Sequence, residues 1–204
     1  MKYLFIDSAT ATLVVAIIID NEIAYIYNRE TGKDMSSTIM PVIEESFKQT
    51  NLIPQDIDKI FVSTGPGSFT GIRVGLTVAK TMAWSLNIPI VPISSLEVIA
   101  STPNTKNNIA LIDARRGYVF AGVYDNELNV IEEDKHILLE DINIDGTYVS
   151  YDDFKGLKPQ IDILKVIKKH EKESGENPHS VNPKYLKLTE AEENLKKKND
   201  NTRD

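Results

Sequence analysis

Phe5-Ile6-Asp7-Ser8-Ala9-Thr10-Ala11-Thr12 and Ile112-Asp113-Ala114-Arg115-Arg116-Gly117-Tyr118 read as the same event met twice along the chain. In each, an apolar run ends on Asp, a four-residue turn follows, and a second apolar run begins. The second runs, Thr12 to Ile19 and Tyr118 to Tyr124, both close on an Asp-Asn-Glu turn, at Asp20-Asn21-Glu22 and Asp125-Asn126-Glu127. The offset is 106 residues at the Asp and 105 at the turn. β-Branched and aromatic residues broken by such turns predict antiparallel strands. A repeat of strand, Asp, turn, strand and turn, held in order, predicts two related lobes.

Outward from the first copy, Tyr3 to Ile6, Thr12 to Ile19 and Ile23 to Tyr27 predict a three-stranded meander whose middle strand, apolar on both sides, is central. Ser36-Ser37 predicts the cap of a helix from Thr38 to Thr50, with Ile39, Val42, Ile43 and Phe47 on one face. Lys59 to Ser63 reads as a strand. It leads into Gly65-Pro66-Gly67-Ser68-Phe69-Thr70-Gly71, a loop too rich in Gly to be regular, and then a helix from Gly71 to Leu86. A strand over Ile88 to Pro92 and a helix capped by Ser94-Ser95 and running to Ala100 complete the unit. A meander followed by strand, helix, strand, helix is an α/β lobe. Outward from the second copy the chain is poorer. Asp125 to Asp145 holds eight acidic residues and one Lys, and no element is placed there. Tyr148 to Ser150 reads as a strand, Gln160 to Glu173 as a helix, and no second Gly-rich loop occurs. The expected division is 1–105 for the first lobe, 106–190 for a shortened second lobe, and 191–204 for a charged, solvated tail.

Composition sets the outer bounds. The 204 residues are 41% hydrophobic and 26% charged, with 10 Gly and 9 Pro, which excludes collagen-like, mucin-like and wholly disordered chains. The chain has no Cys, so disulfides, thiolate catalysis and Cys-ligated metal centres are excluded. A formal charge of -7 disfavours direct binding to a phosphate backbone unless basic residues gather on one face. Leu13 to Ile19 is apolar, but Asp7 interrupts the run and only Lys2 precedes it, so a targeting segment is not expected. No stretch approaches the ~18–20 apolar residues of a membrane span. The expectation is a soluble, cytoplasmic protein.

Three features carry chemistry. The first is the Gly65 to Gly71 loop, with Arg73 beside it. Free N–H groups at a helix N-terminus make an anion cradle, yet the spacing fits neither a Walker A loop nor a dinucleotide fingerprint. A phosphate site, a structural strand-to-helix turn and a partner-contact loop all remain open. The second is the stripe Gly71, Gly75, Ala79, Ala83, which lets another element approach closely, either the helix's own sheet or a helix of a partner. The third is the pair of turns at Asp7-Ser8-Ala9-Thr10 and Asp113-Ala114-Arg115-Arg116-Gly117. A two-lobed phosphotransferase would use both to clamp phosphates and metal, but here Arg115 and Arg116 replace hydroxyls with bulky cations, which count against the clamp and are read as ion-pair partners of acidic loops across the lobe interface. His136, His170 and His179 lack zinc-peptidase spacing, and no nucleophile elbow occurs.

Gly65-Pro66-Gly67-Ser68-Phe69-Thr70-Gly71-Ile72-Arg73-Val74-Gly75 closely resembles the corresponding segment of the TsaB (YeaZ) family. Ile6-Asp7-Ser8-Ala9-Thr10, Ile112-Asp113-Ala114-Arg115-Arg116-Gly117 and Pro183-Lys184-Tyr185-Leu186 agree as well. The resemblance implies an α/β, actin-like (hsp70 and sugar-kinase type) two-lobed fold with a reduced second lobe. It implies a non-catalytic role in forming N6-threonylcarbamoyladenosine at position 37 of tRNA. It also implies pairing with the catalytic paralogue TsaD through first-lobe helices, joined by the ATPase TsaE, with tRNA met only through the complex. No cofactor of its own is expected, ATP and metal belonging to the TsaD and TsaE partners. The expected contact residues are Ile39, Met40, Ile43 and Phe47 on the first helix, with Gly71, Ile72, Gly75, Leu76, Ala79 and Met82 on the second. In isolation the same surface is expected to close on itself as a homodimer, since leaving it wet is costly. Asp7, Ser8, Thr10, Gly65, Gly67, Ser68 and Asp113 are read as vestigial phosphate-like turns. Met35 and Ala11 depart from the family pattern, which often has a His and an acidic residue there. The rival expectation is an actin-like ATPase or small-molecule kinase working through Asp7, Thr10 and Asp113.

Overall fold

The computed structural model describes residues 1–104 and 106–187; the charged tail expected at 191–204 lies outside them. Strands β1 (Lys2–Asp7), β2 (Thr12–Ile19) and β3 (Glu22–Glu30) form the expected antiparallel meander. β4 (Lys59–Gly65) pairs parallel with β1, and β5 (Ile90–Ser94) parallel with β4, giving the order β3-β2-β1-β4-β5. Helices α1 (Met35–Thr50) and α2 (Phe69–Leu86) cover one face of this sheet. Period-2 alternation decides what they meet: Leu4, Ile6, Leu13, Val15 and Ile17 turn toward the helices. Tyr3, Phe5, Val14, Ala16 and Ile18 turn the other way.

That other face is shared with the second lobe. β6 (Asn108–Asp113), β7 (Tyr118–Tyr124), β8 (Val130–Leu138) and β9 (Thr147–Val149) are ordered β8-β7-β6-β9, with β9 parallel to β6 and the rest antiparallel. This is the first sheet's β3-β2-β1-β4 plan repeated, with Asp7 and Asp113 closing equivalent strands. Ala110, Ile112, Phe120 and Tyr124 join the first lobe's buried residues, α3 (Ser95–Ala100) and α4 (Ile163–His170) in one core. The opposite face of the second sheet, Ile109, Leu111, Val119, Ala121 and Val123, is covered by Leu139, Ile142, Ile144 and Phe154 from irregular chain. Where the first lobe places two helices, the second places loops. The chain is thus a two-lobed α/β protein with a reduced second lobe.

The structure departs from expectation at several ends. α1 starts at Met35 with Asp34 as its cap, and Ser37 and Thr38 lie inside it, their hydroxyls donating to the Asp34 carbonyl at 2.9 and 2.7 Å. α2 begins two residues early because the Ser68 hydroxyl accepts the Gly71 N–H, a cap worth about 1 kcal/mol. Asn87, with φ 55°, ends α2 and pushes β5 back to Ile90. β8 occupies the acidic stretch where no strand was placed. α4 is shorter than Gln160 to Glu173, because Asp162 caps it at the Lys165 N–H.

From Glu176 the chain leaves the second lobe and straps the first, against the expected 106–190 grouping. Glu176 pairs with Ile90, the Lys80 ammonium donates to the Val181 carbonyl at 2.6 Å, and Val181 is buried among the α1 and α2 residues. Lys59, buried at the start of β4, donates to the carbonyls of Glu171 and Glu173, where the C-terminal end of a helix favours a cation.

A closed phosphate-like turn and an open helix groove

The two predicted phosphate-like pieces of the first lobe meet, but each satisfies the other. Asp7 is buried and its Oδ1 accepts the Ala9 N–H at 2.9 Å. Burial pushes its carboxyl above the ordinary range. The Ala9 carbonyl accepts the Ser68 N–H at 2.7 Å, and the Ser8 hydroxyl donates to the Gly71 carbonyl at 2.8 Å. A β-carbon on Gly67 would strike the Ala9 carbonyl oxygen, and one on Gly71 the Ser8 carbonyl oxygen. The glycines therefore let two backbones touch, and the Ser68 and Gly71 amides that an anion would need are bound to internal acceptors.

The strap seals the other side. The Lys184 N–H donates to the Thr64 carbonyl at 2.8 Å, the Lys184 carbonyl lies against Gly65, the Tyr185 ring packs on Phe69, and Arg73 Nε donates to the Tyr185 hydroxyl at 2.7 Å. Thr10 serves its own turn, its hydroxyl accepting the Thr12 N–H. Asp113, unlike Asp7, is exposed, and its carboxylate accepts the Arg115 N–H. Arg115 enters no ion pair among the described residues; its left-handed backbone, with that of Arg116 and Gly117, makes a tight exposed turn. These residues do not fit a nucleotide phosphate. Among the described residues no group of three or more His, Asp or Glu side chains is placed to hold a metal.

The small-residue stripe also turns inward. Gly75 sits over Ser8 and Ile6, and Gly71, Ile72, Leu76 and Ala79 are buried with it. Ile39, Ile43 and Phe47 are likewise buried in α1. As contact residues for a partner Ile39, Gly71, Ile72, Gly75, Leu76 and Ala79 are corrected: the stripe brings α2 down onto its own sheet, and of the buried residues in the predicted set Ile43 and Phe47 alone reach a surface groove. Met40, 51% exposed, and the half-buried Met82 are the members of the predicted set with surface to offer. They flank a groove between α1 and α2 of about 780 Å³, walled by Pro41, Glu44, Thr81, Ser85 and Leu86, with Ile43 and Phe47 reaching it from below and Pro54 and Gln55 at one end. The wall residues were missed; Glu44 follows the buried Ile43 and Leu86 stands three residues beyond the buried Ala83, but Thr81 and Ser85 lie well round the helix from the stripe and carry no such signal.

Two buried carboxylates join the lobes. Glu97 of α3 lies 2.8 Å from His170 Nε2 and 2.9 Å from the Lys169 ammonium, and His170 Nδ1 lies 2.6 Å from Glu173. Burial opposes charge on Glu97, but His170 and Lys169 outweigh it and hold its pKa below 4.5. Burial likewise opposes the imidazolium, but Glu97 and Glu173 outweigh it and raise His170 above 6.5. Asp134 of β8 accepts from the Ser94 and Tyr124 hydroxyls, each at 2.6 Å, and lies 3.2 Å from the Lys184 ammonium of the strap. His136 stacks on Tyr118 and His179 stands beside Trp84, so the three histidines serve three separate places. Among the described residues no helix is long and apolar enough to cross a membrane.

Residues 23–171 match the family model described as TsaD, tRNA N6-adenosine threonylcarbamoyltransferase. The tRNA threonylcarbamoyladenosine biosynthesis protein TsaB of Bacillus subtilis is 37% identical over 146 residues, which cover 69% of this chain and 64% of that one. Its Escherichia coli namesake is 30% identical over 149 residues, covering 70% and 64%. The chain thus spans a little under two thirds of the length of these two curated relatives. YeaZ from Pseudomonas aeruginosa has the same fold, with a TM-score of 0.79 at 18% identity over 91% of this chain and 99% of that one. The chain belongs to the TsaD family of tRNA N6-adenosine threonylcarbamoyltransferases, and within it to the TsaB (YeaZ) type.

Proposed function

We propose that the chain is a non-catalytic subunit of the machinery that transfers a threonylcarbamoyl group to adenosine 37 of tRNA, and that it holds a TsaD-type catalytic subunit through the α1–α2 groove. The observation that carries this is the contrast between its two features. The first-lobe turn that would clamp a nucleotide and the Gly-rich loop beside it are closed on each other by Ser68, Ala9, Ser8 and Gly71, whereas the groove beside Met40 and Met82 is apolar and open. Exposed apolar surface of this kind marks a protein contact. ATP and metal then belong to TsaD and TsaE, the latter joining the assembled pair. The tRNA is engaged by the complex, in the cytoplasm, and a second copy of this chain covers the groove when TsaD is absent. Replacing Met40 and Met82 together by Glu tests the reading. The variant is expected to melt as the parent does and to lose co-elution with TsaD; unchanged co-elution overturns it. The rival, an actin-like ATPase or kinase, predicts nucleotide hydrolysis by the purified chain alone.

A further inference from the structure

The chain's charge is unevenly placed. Residues 155–172 carry six lysines against Asp162 and Glu171, in a protein whose formal net charge is -7. α4 lies in this stretch and is two-faced: Ile163, Val166 and Ile167 are buried in the interlobe core, and Lys165 and Lys168 share the opposite face, with Lys172 just beyond the helix end. Lys169 is bound to Glu97 and to the Leu128 carbonyl, and Lys158 to the carbonyls of Tyr151 and Asp152. Lys165, Lys168 and Lys172 enter no ion pair through their ammonium groups among the described residues.

The helix dipole accounts for part of this arrangement, since cations are favoured in a last turn. It explains Lys168 but not Lys165, which stands in the first turn, and lysines three and four residues apart repel one another. Three free ammonium groups are spread over roughly 10 Å at 1.5 Å per residue. With the apolar face of α4 already buried, this surface has charge to offer and no hydrophobic wedge, which suits a polyphosphate backbone better than insertion into lipid. We infer that the Lys165, Lys168 and Lys172 face of α4 is a docking surface for the phosphate backbone of RNA. The inference rests on the tRNA-modifying role proposed above and adds a direct RNA contact by this subunit, away from the groove that holds TsaD.

The test uses the full chain, alone and assembled with TsaD, and an unmodified tRNA transcript. One variant carries K165E, K168E and K172E. A control with the same charge change carries K33E, K106E and K135E, at exposed lysines elsewhere. The α4 variant is expected to bind the transcript roughly tenfold or more weakly at low salt, with the slope of log affinity against log salt shallower by about 2. The control is expected to stay within about twofold of the parent. Should the reversal impair folding, the Gln set K165Q, K168Q and K172Q is expected to lose affinity in the same direction by a smaller factor. Equal losses in the α4 and control variants, or no tRNA binding by either the chain or the complex, overturn the inference. So does competition by polyglutamate as effective as by tRNA, which points to an acidic protein, or loss of binding to phosphatidylglycerol vesicles with tRNA binding unchanged. Co-elution of the α4 variant with TsaD is expected to be intact; failure of the parent chain to co-elute sinks the groove reading while the tRNA arm still decides this one.

Discussion

Gly75 leaves no room for a side chain: a β-carbon there would strike the Ser8 hydroxyl, with Ser8 Cβ at 3.3 Å and Ile6 Cγ2 at 3.5 Å. The Gly75→Ala variant is therefore expected to lose about 1–3 kcal/mol of stability by overpacking, read as a lower denaturation midpoint. Ser8→Gly should recover much of that loss in a double-mutant cycle, because the obstruction is Ser8's own side chain. Gly71→Ala meets the Ser8 carbonyl oxygen instead, so Ser8→Gly should recover none of it. A cycle in which Ser8→Gly rescues both glycines equally contradicts this packing. At Met40, half in solvent, replacement by Glu should change stability by less than about 0.5 kcal/mol, which separates a surface role from a core one. The Gly stripe itself was plain in the sequence, but its direction was not. A helix with small residues every fourth position fits its own sheet and a partner helix equally well. What decides between them is Ser8 lying beneath α2, a contact 67 residues away that no local pattern encodes.

Elements with a strong period were legible and those without one were not. β1, β2, β6 and β7 are buried runs between turn residues, and their Asp-terminated repeat announced both sheets. β8 escaped because it is an edge strand with a charged middle and none of the buried apolar run that marks the others, so Glu132, Glu133, Asp134 and Lys135 read as loop. The strap escaped because its hold is through backbone carbonyls and a few rings, as at Lys80, Lys184 and Tyr185. Between α3 and α4 the Glu97–His170 pair gives the interlobe contact a pH dependence. His170, raised above 6.5, stabilises the fold fully below about that pH, and this contribution fades as pH rises through the raised value. Glu97, held below 4.5, stabilises above that pH, and its contribution fades as pH falls through the lowered value. Chemical denaturation is thus expected to show extra stability between the two limits, and His170→Gln to flatten the alkaline decline. An unaltered alkaline limb in that variant contradicts the assignment.

At the scale of the whole molecule, two copies of one strand plan have diverged. The first lobe keeps two helices over its sheet and a groove between them; the second covers the equivalent face with loops and joins the first through α3, α4 and the strap. A protein that opened and closed on nucleotide would need its two turns free to grip phosphates across the cleft. Here the first turn is bonded to its own Gly-rich loop and the strap lies over that loop. The purified chain is accordingly expected to show no ATP hydrolysis above the background of an inactive control, by phosphate release. The central claim is that the open α1–α2 groove holds the catalytic partner, and size-exclusion co-elution of TsaD with the parent chain and with the M40E/M82E variant tests it most directly. A single complex peak for the parent and separate peaks for the variant, with both chains melting alike, is the predicted result; a complex peak of equal height for both would contradict it.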